Sequence, residues 1–258
     1  MSLLELDQVT KRFGEVTIVE DLSLDVAAGE ALGIVGPNGA GKTSLFGVIS
    51  GDLFPDRGAV RFDGRDITWL DAAVRCRLGI GRTYQVPRPF ESMTVFENVL
   101  VAVQQGAGER RQASYAGASS VLERTGLGPE ANEPAGRLGL LSRKRLEVAR
   151  ALASRPRLLL LDEVAGGLTE PEMAQLVGLV ESVREDGLAV IWIEHVVRAL
   201  TSTVARLICL AGGSIVGDGT PDEVLSSSAV KEVFLGTEAT AESLAEAGAA
   251  ADGPGGPS

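Results

Sequence analysis

Residues 36–43 read GPNGAGKT and match the pattern G-x-x-x-x-G-K-[ST] of phosphate-binding loops. An apolar strand at 31–35 leads into this segment, and an apolar helix begins near Lys42. Glycines allow several main-chain N–H groups to converge on one polyphosphate, and the helix N-terminus adds partial positive charge. Lys42 can reach the β- and γ-phosphates, and the Thr43 hydroxyl can bind Mg²⁺. The segment therefore predicts a nucleotide site formed by Gly36, Pro37, Asn38, Gly39, Ala40, Gly41, Lys42, Thr43 and Ser44.

A second motif is acidic. It follows an apolar strand at residues 158–161, where the sequence continues with Asp162 and Glu163. Acids often end strands, so this motif gains its meaning from the phosphate-binding loop upstream. In a parallel sheet, Asp162 would lie beside that loop and could hold Mg²⁺ through water. Glu163 would then be placed to act as a general base toward water at the γ-phosphate.

Short β-rich runs alternate with helical patterns along the chain, which predicts an α/β fold. Residues 3–9 and 16–26 predict an antiparallel pair, and residues 158–161 and 189–193 predict buried strands of a parallel sheet. A hairpin is predicted at 205–211 and 214–217. The segment from about 88 to 154 contains only helical patterns, which we interpret as a helical insertion. Its predicted helices span 94–104, 119–125 and 143–153.

Composition narrows the class of protein further. The formal net charge of −11 argues against nucleic-acid binding, whose footprint would be basic. No apolar run approaches the ~20 residues of a membrane-spanning helix, and no signal peptide is visible at the N-terminus. Two isolated cysteines suggest a reducing compartment. We therefore expect a cytoplasmic protein, with an acidic, glycine- and proline-rich tail at 237–258 that is disordered.

Taken together, these motifs resemble the ATP-binding subunits of ABC transporters over residues 3–236. Gln85 follows a predicted strand at 79–84 and matches the family's Q-loop glutamine, which contacts Mg²⁺ and the attacking water. His195 follows the strand at 189–193 and matches the switch histidine at the γ-phosphate, whereas Phe13 matches the aromatic residue that stacks on adenine. Read in isolation, Gln85 would be a solvated loop residue, His195 a structural histidine and Phe13 a small core contact.

The resemblance implies an ABC ATPase fold of the P-loop NTPase class, with a mostly parallel core sheet, an antiparallel β subdomain and a helical insertion. It implies a domain over 1–236 and the cofactors ATP and Mg²⁺, the metal being held by Thr43, Gln85 and Asp162. Catalysis would rest on Lys42, Gln85, Glu163 and His195.

Four segments, at 82–90, 93–99, 144–152 and 230–236, are similar to the subgroup that serves branched-chain amino-acid importers. Importers of amides or urea share much of this pattern. The similarity implies a peripheral subunit on the inner face of the membrane. Its partners would be a second ABC ATPase subunit, transmembrane permease subunits and, indirectly, a solute-binding protein. Phe90, Met93 and Phe96 are expected near the groove that receives the permease, although they could instead be core residues, Phe96 above all.

The segment 138–142, which we call the signature segment, departs from the family. It reads LGLLS where the family has LSGGQ, so a hydroxyl is missing at Gly139 and leucines replace glycines. Val164 and Thr169 are smaller departures. We expect Ser142 to cap the helix at 143–153 and residues 143–145 to form its solvated first turn. The pattern suggests a heterodimer with one degenerate site. A homodimer, a weakly hydrolytic subunit and a soluble ABC-type ATPase remain alternatives.

Overall fold

The computed structural model describes residues 2–108 and 111–235, so the tail expected at 237–258 lies outside it. In chain order the strands are β1 (Ser2–Phe13), β2 (Val16–Ala27), β3 (Ala31–Val35), β4 (Arg57–Phe62), β5 (Arg65–Asp66), β6 (Ile80–Arg82), β7 (Leu158–Asp162), β8 (Ala189–Ile193), β9 (Arg206–Ala211) and β10 (Ser214–Gly219). The α-helices are α1 (Lys42–Ser50), α2 (Ala72–Leu78), α3 (Val95–Gln105), α4 (Arg111–Arg124), α5 (Leu140–Ala153), α6 (Glu170–Glu185), α7 (Val197–Thr201), α8 (Pro221–Ser226) and α9 (Ser228–Leu235).

A six-stranded sheet in the order β10-β9-β3-β8-β7-β6 forms the centre of the fold. All neighbouring strands in it run parallel except β9 and β10, which form the predicted antiparallel hairpin. Strands β3, β7 and β8 are buried throughout, as their continuous apolar sequences require. Because these strands are neighbours and parallel, their carboxyl ends meet at one edge of the sheet. The predicted mostly parallel core sheet is confirmed.

A second, four-stranded sheet in the order β2-β1-β4-β5 is antiparallel throughout. Its inward-facing residues share one hydrophobic cluster with helix α1 and one face of the central sheet, in which Leu4, Leu24, Phe46 and Ile191 are buried. The predicted antiparallel β subdomain is therefore confirmed. The shared cluster attaches it directly to the helix that follows the phosphate-binding loop.

Helices α3, α4 and α5 pack on one another around a core of their own, which includes Val95, Val99, Leu122 and Leu146. Among the described residues from 88 to 154 there is no strand, only an isolated bridge between Thr94 and Pro134. Helix α4 begins well before the predicted 119, and strand β6 is shorter than the predicted 79–84. In the described part of the chain, no helix is both long and apolar enough to cross a membrane.

Two expectations about helix α5 are wrong. The helix begins at Leu140 with Gly139 as its N-cap, so Ser142 lies inside the first turn and does not cap it. The Ser142 hydroxyl instead donates to Oε2 of Glu130 at 2.9 Å. The basic residues that follow are also not uniformly solvated, because Lys144 is 4% exposed. Gly139 has the extended backbone of an N-cap and, having no side chain, forms no side-chain cap hydrogen bond, so the helix starts three residues before the serine could cap it.

Candidate functional site

The phosphate-binding loop joins β3 to α1 at the carboxyl edge of the central sheet, and its glycines are sterically required. Gly36 has φ +148°, and a Cβ there would lie 2.0 Å from the main-chain oxygen of Leu210. Gly41 has φ +101°, and a Cβ there would lie 2.4 Å from the main-chain oxygen of Ile18. Main-chain atoms cannot rotate away as a side chain can, so only glycine fits at these positions.

Lys42 begins helix α1, and its ammonium group lies over the loop. The Nζ atom donates to the main-chain oxygens of Gly36 at 2.6 Å and Pro37 at 2.9 Å. Burial lowers the pKa of Lys42, while the nearby carboxylates of Glu163 and Asp162 act in the opposite direction. Beside it opens a cleft of about 300 Å³, lined by Ile18, Asn38, Gly39, Ala40, Gly41, Lys42, Thr43, Ser44, Gln85 and Glu163. The structure thus brings the loop, Gln85 and Glu163 to one cleft.

Glu163 follows β7, and its carboxylate holds two of the other predicted residues. His195 Nε2 lies 2.7 Å from Glu163 Oε1, and Gln85 Nε2 donates to Glu163 Oε2. The register of β7 and β8 pairs Asp162 with Ile193, which places the residues after both strands side by side. The backbone of Glu163 is left-handed, with φ +48°. The side chains of Gln85 and His195 therefore both contact the carboxylate of Glu163 at the cleft.

Asp162 is separate from this cluster and is 1% exposed. Its Oδ2 accepts from Arg82 Nη2 at 3.2 Å, whereas its Oδ1 is buried without a hydrogen-bond partner. Burial raises the pKa of Asp162, and the Arg82 guanidinium works against that rise. Arg82 also donates to Asp52 at 2.8 Å, so one guanidinium bridges two carboxylates.

The carboxylate and hydroxyl oxygens at this edge of the sheet are suitable ligands for Mg²⁺. A buried carboxylate oxygen without a partner is a natural acceptor for a hydrated cation, and the Thr43 hydroxyl lies at the exposed start of α1. The described residues contain no group of three or more His, Cys, Asp and Glu side chains that could hold a metal by themselves.

Lys144 and Glu194 are polar residues of this site that the sequence analysis missed. Lys144 Nζ donates to the main-chain oxygens of Gln85 at 3.1 Å and Glu163 at 3.0 Å. Glu194 is 1% exposed and accepts from the main-chain N–H groups of Ala165 at 2.6 Å and His195 at 3.2 Å. Lys144 stands one and two helical turns before buried Val148 and Ala151, and this spacing was the signal that could have placed it on the buried face.

Phe13 lies outside the lining of the cleft, at the end of β1. Its ring is 50% exposed, which is inconsistent with the alternative of a core contact, and Lys11 Nζ lies 5.4 Å from the ring centroid. The structure thus leaves the Phe13 ring available at the surface of the β subdomain.

Phe90 is also exposed, and it lines a groove of about 440 Å³ between the central sheet and the helices α3 and α5. We call this the docking groove; it is lined by Ala73, Cys76, Arg77, Gly81, Arg82, Tyr84, Phe90, Asn98, Val101, Ala102, Gln105, Gly106, Glu147, Arg150, Ala151 and Ser154. Phe96 instead packs against the core of α3–α5 and lies 5.7 Å from Tyr115 between ring centroids. Met93 is half-buried and does not line the groove.

Residues 19–166, more than half of the chain, match the ABC transporter family. The chain belongs to this family. A high-affinity branched-chain amino acid transport ATP-binding protein from Pseudomonas aeruginosa is 35% identical over 251 residues, covering 91% of this chain and 98% of the relative. A lipopolysaccharide export system ATP-binding protein from Haemophilus influenzae is 32% identical over 238 residues, covering 92% and 99%.

Solved structures agree with this membership. The ADP conformation of an ATP-binding cassette of an ABC transporter is similar with a TM-score of 0.82 and 30% identity, and the match covers 92% of this chain and 99% of that one. A nucleotide-free ATP-binding cassette is similar with a TM-score of 0.78 and 28% identity, covering 94% and 98%. This ABC chain therefore has the expected ABC ATPase fold, binds ATP as a transporter subunit and is an ATPase.

Proposed function

We propose that this ABC subunit hydrolyses ATP with Mg²⁺ in its own cleft and drives an importer of branched-chain amino acids or related small solutes. The observation that carries the proposal is the carboxylate of Glu163, which faces the phosphate-binding loop while held by Gln85 and His195. The importer class rests on the similar segments at 82–90 and 230–236 and on the relative from Pseudomonas aeruginosa. The lipopolysaccharide export relative makes export the competing direction.

The roles of the residues follow from their positions. Lys42 would transfer its N–H donors from the carbonyls of Gly36 and Pro37 to the terminal phosphates of ATP. Glu163 would orient water and accept its proton, and His195 would exchange its contact with Glu163 for one with the γ-phosphate. Mg²⁺, when bound, neutralises charge on the phosphate oxygens, and Thr43, Gln85 and Asp162 are the residues that would hold it. Phe13 would stack on adenine.

The signature segment supports a heterodimer. Helix α5 begins there with Gly139 at the N-cap and Leu140, which is 44% exposed, in its first turn. This surface offers apolar side chains where a facing γ-phosphate would need a hydroxyl and closely approaching N–H groups. Each lost charge-assisted hydrogen bond would cost about 1.5–3 kcal/mol. We infer that a partner subunit supplies a sound signature to this chain's cleft, whereas the site that receives segment 138–142 is weak.

The docking groove is our candidate for the permease contact. Phe90 and Tyr84 present aromatic surface there beside Arg150 and Glu147, which suits an amphipathic helix of a membrane subunit. We infer that the chain works on the cytoplasmic face of the membrane, as one domain over 1–236 with a helical subdomain at about 88–154. Charged substitutions at Phe90 should weaken assembly and leave nucleotide binding intact.

Purification of the chain from membranes tests this proposal. We expect it to be recovered with transmembrane permease subunits and a second, different ABC ATPase chain, whose complex hydrolyses ATP when the matching solute-binding protein and solute are added. Recovery as a homodimer would contradict the heterodimer. Recovery without a membrane protein would favour a soluble ABC-type ATPase, and recovery of an export permease would overturn the importer class.

A further inference from the structure

The ammonium group of Lys144 joins the main chains of two residues whose side chains also meet. Its Nζ lies 3.1 Å from the carbonyl oxygen of Gln85 and 3.0 Å from that of Glu163, while Gln85 Nε2 donates to the Glu163 carboxylate. Lys144 belongs to α5, Gln85 lies after β6 and Glu163 lies after β7. One buried cation thus connects a helix of the insertion to two separate loops of the central sheet.

Burying the charge of Lys144 costs free energy unless neighbouring groups compensate it. Burial lowers the pKa of Lys144, and the carboxylates of Glu194, Glu163, Asp162 and Glu147 each oppose that effect. Although acidic groups surround the lysine, its Nζ donates to the main-chain carbonyls of Gln85 and Glu163. Carbonyl contacts fix where the backbone runs, whereas a salt bridge would only fix a side chain.

The backbone that Lys144 holds is itself unusual. Glu163 has a left-handed φ of +48°, a conformation that is unfavourable in a non-glycine residue and persists only when its surroundings enforce it. The direction in which its carboxylate leaves the strand depends on this backbone. A donor bonded to the carbonyl of Glu163 is therefore well placed to set the position of the carboxylate in the cleft.

We propose that Lys144 is a positioning residue for ATP hydrolysis, which aligns Glu163 and Gln85 by binding both of their carbonyls and couples that alignment to helix α5. The proposal rests on the proposed function only in assigning hydrolysis to this chain's own cleft.

Lys144→Met, Lys144→Arg and Arg145→Gln test the proposal in the full chain and in its assembled transporter. Arg145→Gln is the matched control, since it removes the adjacent charge from the same helix, and Arg145 Nη2 donates to the side chain of Gln175 at 2.7 Å, away from both loops. We expect Lys144→Met to lower kcat about ten- to a hundredfold, with the nucleotide Kd changed less than about threefold. Lys144→Arg should restore most of kcat, and Arg145→Gln should leave it unchanged. If Lys144→Met does not fold, Lys144→Gln replaces it in the same measurements.

Hydrogen exchange of the full chain supplies a readout that is independent of turnover. In Lys144→Met, the amides of residues 84–86 and 163–165 should exchange about tenfold faster, while those of β3 and β8 stay protected. Unchanged kcat in Lys144→Met, or equal loss in Arg145→Gln, would overturn the positioning role. If Glu163→Gln leaves turnover intact, the proposal that this cleft hydrolyses ATP is wrong. The exchange measurement still tests Lys144 in that case, because unchanged exchange at both loops would overturn the link that Lys144 makes between them.

Discussion

The Nε2 atom of His195 lies 2.7 Å from the Oε1 atom of Glu163, so the residues that follow two neighbouring parallel strands are joined by their side chains. Gln85 reaches the other oxygen of the same carboxylate from a third strand end. The carboxylate is thereby fixed beside the phosphate-binding loop. In the proposed mechanism, His195 would contact the γ-phosphate and Gln85 would contact the metal.

The first prediction concerns His195. His195→Ala removes the side chain that lies 2.7 Å from the Glu163 carboxylate and leaves the phosphate-binding loop untouched, so turnover should fall about ten- to a hundredfold. Nucleotide affinity should change little. Steady-state ATP hydrolysis by the assembled transporter and nucleotide titration of the purified chain measure these quantities. A loss of affinity that matches the loss of turnover would show that His195 acts in folding or binding instead.

The second prediction compares two glycines of the phosphate-binding loop. Gly36→Ala places a methyl group 2.0 Å from the main-chain oxygen of Leu210, whereas a Cβ at Gly39 meets nothing within 4 Å despite a φ of +81°. Gly39→Ala should therefore cost only the left-handed conformation, about 1–2 kcal/mol. Gly36→Ala should lower the free energy of unfolding by more and abolish nucleotide binding, as measured by urea unfolding and titration. Equal costs would contradict the steric argument.

The third prediction is a pH dependence. Burial raises the pKa of Asp162, so the folded protein binds this proton more tightly than the unfolded chain does. Its contribution to stability is present below the unfolded pKa of about 3.9 and is lost as the pH rises through the higher folded pKa. Asp162→Asn removes this dependence, so the variant should gain stability relative to the wild type over that window.

Thermal unfolding of both proteins from pH 3.5 to 7 measures this difference. The same variant should lose the tightening of ATP binding by Mg²⁺, because the amide is uncharged and keeps one acceptor oxygen where the carboxylate has two, of which Oδ1 lacks a partner. A stability difference that does not change with pH would contradict the assignment, even if the metal dependence were lost.

The architecture and the loop could be predicted because they depend on local patterns. Continuous apolar runs such as β7 can only be buried, and Asp162 follows where that run ends. Arg82 could not be found in this way, since it meets Asp162 across 80 residues of sequence and only the order of β6 and β7 brings them together.

The burial of Lys144 could not be predicted, because a lysine in a basic run suggests an exposed side chain, whereas packing of α5 against the loops after β6 and β7 buries it. The prediction that Ser142 caps helix α5 is wrong because Gly139 is the N-cap and the helix begins at Leu140.

The fourth prediction restores the signature segment. Gly139 has the extended backbone of an N-cap, with φ −66° and ψ 170°, and open space around it. Gly139→Ser should therefore raise the free energy of unfolding by about 0.3 kcal/mol. Combined with Leu140→Gly and Leu141→Gly, it should raise the turnover of the heterodimer, as hydrolysis assays of the reconstituted transporter would show. Gly139→Ser alone is the control, and no gain from the triple variant would contradict a degenerate second site.

Hydrolysis by the reconstituted transporter carrying Glu163→Gln in this chain tests the central claim most directly. The substitution keeps the size of the side chain and removes the proposed general base, and Glu170→Gln, at an exposed position in the first turn of α6, is the matched control. We expect Glu163→Gln to reduce turnover at least about a hundredfold with ATP still bound, while Glu170→Gln behaves as the wild type. Turnover within about twofold of the wild type in Glu163→Gln would contradict hydrolysis in this cleft.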